Sequence, residues 1–265
     1  MLQWFLVSVF GMMTVVSVHA QTQMAVGVAA GYGQSRFSTD MPVLGPQADS
    51  SSNCLCPTFP DATGASYVPI AIATQLRVGD STGLHWLFSG SVGLQVSNVN
   101  FAVDGDKLPY LDTNGEVAYS LTSHQLAVGR RSASIALGVG GEVAGFGLQV
   151  IGRTSYVYSA ESANIQTYVS PPDQRFDSNE IFEGGCLLDD GRTIVIERIP
   201  TTGHHQVVFD VGAALSYSLF TSLASFPMVF TLQPYVFVPL TTVHVNYTTT
   251  ERINYGCSLF IGVTL

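Results

Sequence analysis

From Gln206 to Phe220 the chain reads QVVFDVGAALSYSLF, and its side chains sort into two sets by parity. Val207, Phe209, Val211, Ala213, Leu215, Tyr217 and Leu219 form one set; Val208, Asp210, Gly212, Ala214, Ser216 and Ser218 form the other. Successive side chains of a strand point to opposite faces, so this run predicts a strand with one large apolar face and one small, mostly polar face. The apolar face must be covered by something, and that requirement constrains the whole chain.

The same alternation recurs over 23–33, 66–78, 83–96, 116–129, 132–145, 227–240 and 254–265, which predicts eight strands. Their connections alternate in length. Long loops are expected at about 38–65, 97–115, 154–203 and 241–253; short turns are expected at DSTG (80–83), at Arg130-Arg131 and at TSLASF (221–226). Pro69, Pro234 and Pro239 fall inside strand patterns and predict bulges or strand ends, because each removes a ladder donor. A phase change near Ser123-His124 predicts a bulge, or a strand that begins later. Within the longest loop, TIVIERI (193–199) alternates well enough to extend a hairpin.

Composition says what covers the apolar faces. Only 11% of the residues are charged, against roughly 25% in a typical soluble domain. The mean hydropathy is +0.31, which fits poorly with a water-exposed surface. The net charge of −9 argues against nucleic acid as a partner. Residues 1–20 hold an apolar run from Trp4 to Val18 and end in Val18-His19-Ala20, which reads as a signal peptide directing export. No later stretch reads as a membrane helix; SASIALGVGGEVAGFGLQVI (132–151) carries Glu142 and five glycines, which suit a strand better.

An exported chain with few charges and eight alternating strands matches the pattern of a transmembrane barrel, with the apolar parity on lipid and the polar parity inside. The expected fold class is all-β: residues 21–265 as one eight-stranded antiparallel up-and-down transmembrane β-barrel with short periplasmic turns and long extracellular loops. A soluble lipocalin-like barrel would turn its large apolar residues inward and its charges outward, which the near-absence of charge in the strands contradicts.

In this rhythm of strands and loops the chain resembles the small eight-stranded outer-membrane β-barrels of Gram-negative bacteria, the OmpA/OmpX type of the porin family. The likeness spans about Gln23 to Leu265 and includes NYGCSLFI (254–261), which is similar to the insertion signal of such barrels. The resemblance implies a bacterial outer-membrane location. It also implies contact with outer-membrane lipid and lipopolysaccharide, and recognition by the barrel-insertion machinery.

Candidate site residues follow from parity. Gln75, Arg77, Gln95, Glu142, Asp210 and Gln233 share the predicted interior, where ionisable groups must pair or stay wet; Arg77 is a candidate partner for the carboxylates. Cys54, Cys56, Cys186 and Cys257 are expected on the extracellular side as candidate disulfides, with three pairings open. The CLC stretch lacks metal-ligand spacing, and no metal or cofactor is expected. No catalytic residue is assigned, because His85, His124, His204 and His205 have no Ser and carboxylate at a telling spacing.

The expected function is that of a non-enzymatic structural or surface-interaction barrel, its closed lumen anchoring loops that contact an extracellular ligand or protein. The alternative is a narrow pore for ions or small solutes. A lipid-modifying outer-membrane enzyme or a soluble secreted ligand-binding barrel rank lower.

Overall fold

Alternation of this strength, with β-branched and aromatic residues on one parity and glycine, alanine and serine on the other, leaves the backbone extended. The computed structural model describes residues 21–39, 59–79, 83–111, 114–176, 186–188, 191–200, 206–223, 225–241, 243–245 and 247–265. The predicted signal peptide, Cys54, Cys56, His204 and His205 lie outside the described residues. In chain order the strands are β1 (Gln21–Thr39), β2 (Ala62–Gly79), β3 (Leu84–Leu111), β4 (Val117–Val143), β5 (Phe146–Ser170), β6 (Cys186–Leu188), β7 (Thr193–Pro200), β8 (Gln206–Leu223), β9 (Phe226–Pro239), β10 (Val243–Val245) and β11 (Tyr247–Thr264).

All the pairings are antiparallel. The hydrogen-bonded path runs β1-β2-β3-β4-β5-β8-β9-β11 and returns to β1, so it closes on itself. The far half of β5 carries β7, which in turn carries β6, and β10 pairs with the start of β11. Three short connections lie at one end of this ring. In the β4–β5 turn Val143 pairs with Phe146, and Ala144 and Gly145 between them both have positive φ (51° and 84°), as the favoured two-residue hairpin turn requires. Gly83 (φ 85°) and Ser225 (φ 75°) mark the other two.

The strand boundaries differ from the sequence expectation in the middle of the chain. Arg130 and Arg131 do not form a turn; segments 116–129 and 132–145 are one strand, β4, which passes straight through them. The strand that completes the ring is instead β5, most of which falls in the region expected as the loop 154–203. The loop expected at 97–115 is mostly the outer part of β3. Pro69 lies where the register of β2 shifts against both neighbours, Pro234 where β9 leaves its pairing with β8, and Pro239 at the end of β9.

The apolar parity faces outward. Ile72 is 68% exposed and Leu215 60%, and Leu84, Trp86, Leu137, Leu148, Val207 and Phe209 project from the same surface. Along β3 this polarity inverts. Outward residues pass from Leu84, Trp86, Phe88, Val92 and Leu94 to Asn98, Asn100 and Asp104, while inward residues pass from Ser89, Ser91, Gln95 and Ser97 to Val99, Phe101 and Val103. β1 does the same, from Tyr32 to Gln34 and Arg36 outside and from Gly33 and Ser35 to Phe37 inside. Away from the short turns, Phe37, Phe59, Val99, Phe101, Leu126 and Val128 therefore form an apolar core inside the ring.

This inversion explains the apparent phase change near His124. Inward burial on β4 runs without a break through Ser120, Thr122, His124, Leu126 and Val128. The register does shift against β5 at Leu121/Thr122, but the alternation of faces on β4 survives. What changes is which face is apolar.

Candidate functional site: the ring interior

Among the described residues, alternate side chains of the ring strands point inward apart from the register shifts, and they fill the ring in layers. Nearest the short turns, Arg77 is 2% exposed. Its Nε donates to Glu142 Oε1 (2.9 Å), and its Nη2 donates to Gln75 Oε1 (3.0 Å) and Ser218 Oγ (2.8 Å). Ser218 Oγ also lies 3.3 Å from Glu142 Oε2 and 3.1 Å from Thr231 Oγ1, whose hydroxyl donates to Gln75 (3.2 Å). The guanidinium is 4.8 Å from the Phe220 ring centre. Because β2 and β8 stand four strands apart around the ring, the Arg77–Ser218 bond crosses its full width.

Beyond this layer lies a cavity of about 120 Å³ lined largely by small side chains, among them Ala73, Ser91 and Ala136, with Gln233 and Tyr235 opposite. Gln149 holds its wall, accepting from Ser89 (3.0 Å) and Gln233 (3.2 Å). Its far wall includes Arg153, whose Nε donates to Asp210 Oδ2 at 2.7 Å and whose guanidinium sits 4.2 Å from the Phe237 ring centre. Arg153 and Asp210 are direct cross-strand partners on β5 and β8.

A third ion pair joins Arg130 of β4 to Glu251 of β11 at 2.5 Å. These strands too stand opposite one another around the ring. Asn254 Nδ2 donates to both Ser35 Oγ (2.7 Å) and Glu251 Oε1 (3.2 Å), and Arg130 Nε donates to Ser97 Oγ (3.2 Å). Burial on its own would raise the Glu251 carboxyl, but Arg130, the Ser35 hydroxyl and the more distant Arg153 together hold it below its ordinary value. Among the described residues, three buried arginines thus meet three buried carboxylates.

The structure brings Gln75, Arg77 and Glu142 into one network. Asp210 lies apart with Arg153, Gln233 lies on the cavity with Gln149, and Gln95 donates to Ser66 Oγ at 3.0 Å. Arg153, Gln149, Arg130 and Glu251 were not among the residues predicted. The signal for the first two was present, since Gln149, Ile151 and Arg153 alternate with Leu148, Val150 and Gly152. Cys186 is exposed on β6 and Cys257 half-buried on β11; both are free thiols. His85 makes no hydrogen bond to Ser218 or Glu142, and among the described residues no group of His, Cys, Asp and Glu is arranged to hold a metal ion. Among the described residues, the interior side chains so placed are amides, hydroxyls and paired charges.

No protein-family model matches the chain, and no curated protein matches it. Among solved structures it is similar to the toluene transporter TodX of P. putida at a TM-score of 0.16 and 9% identity, over 92% of this chain and 88% of that one. A likeness at that level carries no argument about fold or activity.

Proposed function

We propose that this protein is an integral outer-membrane β-barrel of eight strands, exported by its N-terminal signal peptide. On this reading it serves a structural or surface-interaction role rather than an enzymatic one. The observation that carries this reading is the inversion of polarity along the ring strands. An outward apolar band lies between Trp86, Phe146 and Tyr217 near the short turns and Tyr32, Tyr67, Tyr156 and Tyr255 further up. From Phe146 to Tyr156 the backbone covers about 33 Å at roughly 3.3 Å per residue, or about 25 Å of height at a strand tilt near 40°. That is the height of the apolar belt of such barrels, and aromatic rows at its two edges are their interface residues. A closed ladder also leaves no backbone group unpaired in lipid.

The closed-lumen form is favoured over the pore because Arg77–Ser218 and Arg130–Glu251 both cross the ring, with an apolar core beyond them. Short turns then face the periplasm, and β6, β7 and the outer parts of β3, β4 and β5 stand on the extracellular side as the contact surface. Outer-membrane fractionation combined with gel mobility of boiled and unboiled samples tests the barrel. A membrane-fraction band that shifts on boiling is expected, and a soluble, unshifted protein overturns it. Planar-bilayer recording tests the closure: steady single-channel steps from the wild type would replace it with the pore.

A further inference from the structure

Up the outward face of β4 from the short turns, Val143, Val139, Leu137 and Ile135 give way to Ala133 and then to Arg131. Arg131 is the first outward charge on that strand and is exposed, whereas its neighbour Arg130 turns into the ring. It stands in an outward-facing groove of about 410 Å³ with Tyr67, Val96, Asn98, Ser159 and Glu161. Tyr67, Val96, Arg131 and Ser159 form one cross-strand row over β2, β3, β4 and β5. Asn98, Gly129 and Glu161 form the next row, further from the short turns. Gly129 leaves the floor open; a Cβ there would meet only Asn98 Oδ1, at 3.2 Å. The row beneath holds Leu94, Ala133 and Tyr156, the top of the apolar band.

Among the described residues, neither Arg131 nor Glu161 has an ion-pair or side-chain hydrogen-bond partner. The groove therefore offers its chemistry in a fixed order. An unpaired guanidinium lies at the hydrocarbon edge, where its fork of N–H donors suits a phosphate. The Tyr67 ring, 37% exposed, lies on the same row as a platform with an apolar face. One row further out, about 7 Å, Asn98 and Glu161 present an amide and a carboxylate, both able to bond hydroxyl groups. A second phosphate at that height would be repelled by Glu161; a sugar would not.

In the proposed setting this side faces the extracellular leaflet, whose lipopolysaccharide is anchored by acylated, phosphorylated glucosamine. We propose that the groove seats one such unit, its phosphate on Arg131, its sugar over Tyr67 with hydroxyls on Asn98 and Glu161, and its acyl chains along Leu94 and Ala133. The assignment rests on the membrane-barrel reading and adds to it a site and a partner.

The test mixes the full chain, refolded in detergent, with equal amounts of diphosphoryl lipid A and dioleoyl-phosphatidylglycerol, and counts retained lipids by native mass spectrometry. Wild type is expected to keep lipid A at least fivefold over phosphatidylglycerol. Arg131→Gln should lower lipid A retention at least fivefold. Gly129→Leu fills the floor while leaving every charge in place, and should abolish the preference for lipid A. Equal retention of the two lipids by wild type overturns sugar recognition, and lipid A retention unchanged in Arg131→Gln overturns the groove. Loss in Arg131→Gln with full preference in Gly129→Leu shows diffuse charge attraction, which also overturns it. If Gly129→Leu fails to fold, Arg131→Gln, at an exposed position, decides alone. Boiled and unboiled gel mobility on the same samples separates the two failures. A heat-shifted chain without lipid A preference refutes the groove alone, whereas a chain that is soluble without detergent and unshifted refutes the barrel and the groove with it.

Discussion

Arg130 and Glu251 meet at 2.5 Å although their strands stand on opposite sides of the ring, so the pair acts as a strut across the interior. Both side chains are about nine-tenths buried, and removing one partner leaves a buried charge with nothing to balance it. Glu251→Gln should therefore cost about 3 kcal/mol of folding free energy, measured as a lower urea midpoint for folding in lipid vesicles. An unchanged midpoint would mean that water, not Glu251, balances Arg130.

The same pair sets a pH dependence. The folded chain holds the Glu251 carboxyl below its ordinary value. Its stabilisation is thus fully present above the unfolded value, about 4.3, and is lost as pH falls through the lower native value. The wild-type urea midpoint minus that of Glu251→Gln should be level from pH 8 to about 5 and shrink below that. A difference that grew towards acid pH would reverse the sign and contradict the assigned partners.

The outward face of β4 tests the lipid belt. Ile135 is 44% exposed in the middle of the apolar band. In vesicles, Ile135→Arg should cost about 2–4 kcal/mol, the depth-dependent penalty for a cation near the bilayer midplane. Arg should instead be tolerated at Gln125, which lies outward on the same strand beyond the inversion. Equal tolerance at both positions would remove lipid from the account.

At the β4–β5 turn, Ala144 adopts φ 51°, where a β-carbon is disfavoured. Asparagine tolerates that conformation, and Asn-Gly is the preferred pair for this turn. Ala144→Asn should raise stability by about 1 kcal/mol, seen as a higher temperature for loss of the unboiled gel form. A lower temperature would show that the alanine packs against something the turn geometry does not reveal.

Beyond the inversion the core is internal and apolar. Phe101 is fully buried there, with Phe59 6.5 Å away between ring centres. Phe101→Ala should cost about 3–5 kcal/mol, as in a water-soluble domain, again read from urea midpoints. A cost below about 1 kcal/mol, the scale of a surface change, would show that this core contributes little.

The all-β class was legible because alternation is a local property of each strand; QVVFDVGAALSYSLF carries its two faces within its own residues. The strand boundaries were not legible in the same way. The alternation of loop lengths puts a turn at Arg130-Arg131, yet each arginine serves a different face of an unbroken strand. From Thr154 onward, β5 falls where the sequence pattern predicts a loop. Its outward face turns polar from Glu161, and the register shift between Arg131 and Ser132 displaces its phase. The interior residues Gln75, Arg77 and Glu142 could be grouped by parity alone. That Asp210 pairs with Arg153 and Glu251 with Arg130 depends on register and on ring closure, neither of which any single segment encodes.

The polarity inversion at Ser97-Asn98 has a consequence for placement. In the proposed membrane setting, sliding β3 by one residue would expose the wrong side chains at both ends of the strand, apolar ones to water and polar ones to hydrocarbon. Sliding the ring bodily along the membrane normal would drown Asn98 and Asn100 or strand Leu94 in solvent. In the proposed setting the boundary written into β3 is thus a waterline: it fixes how deep the protein floats as well as which way its side chains turn.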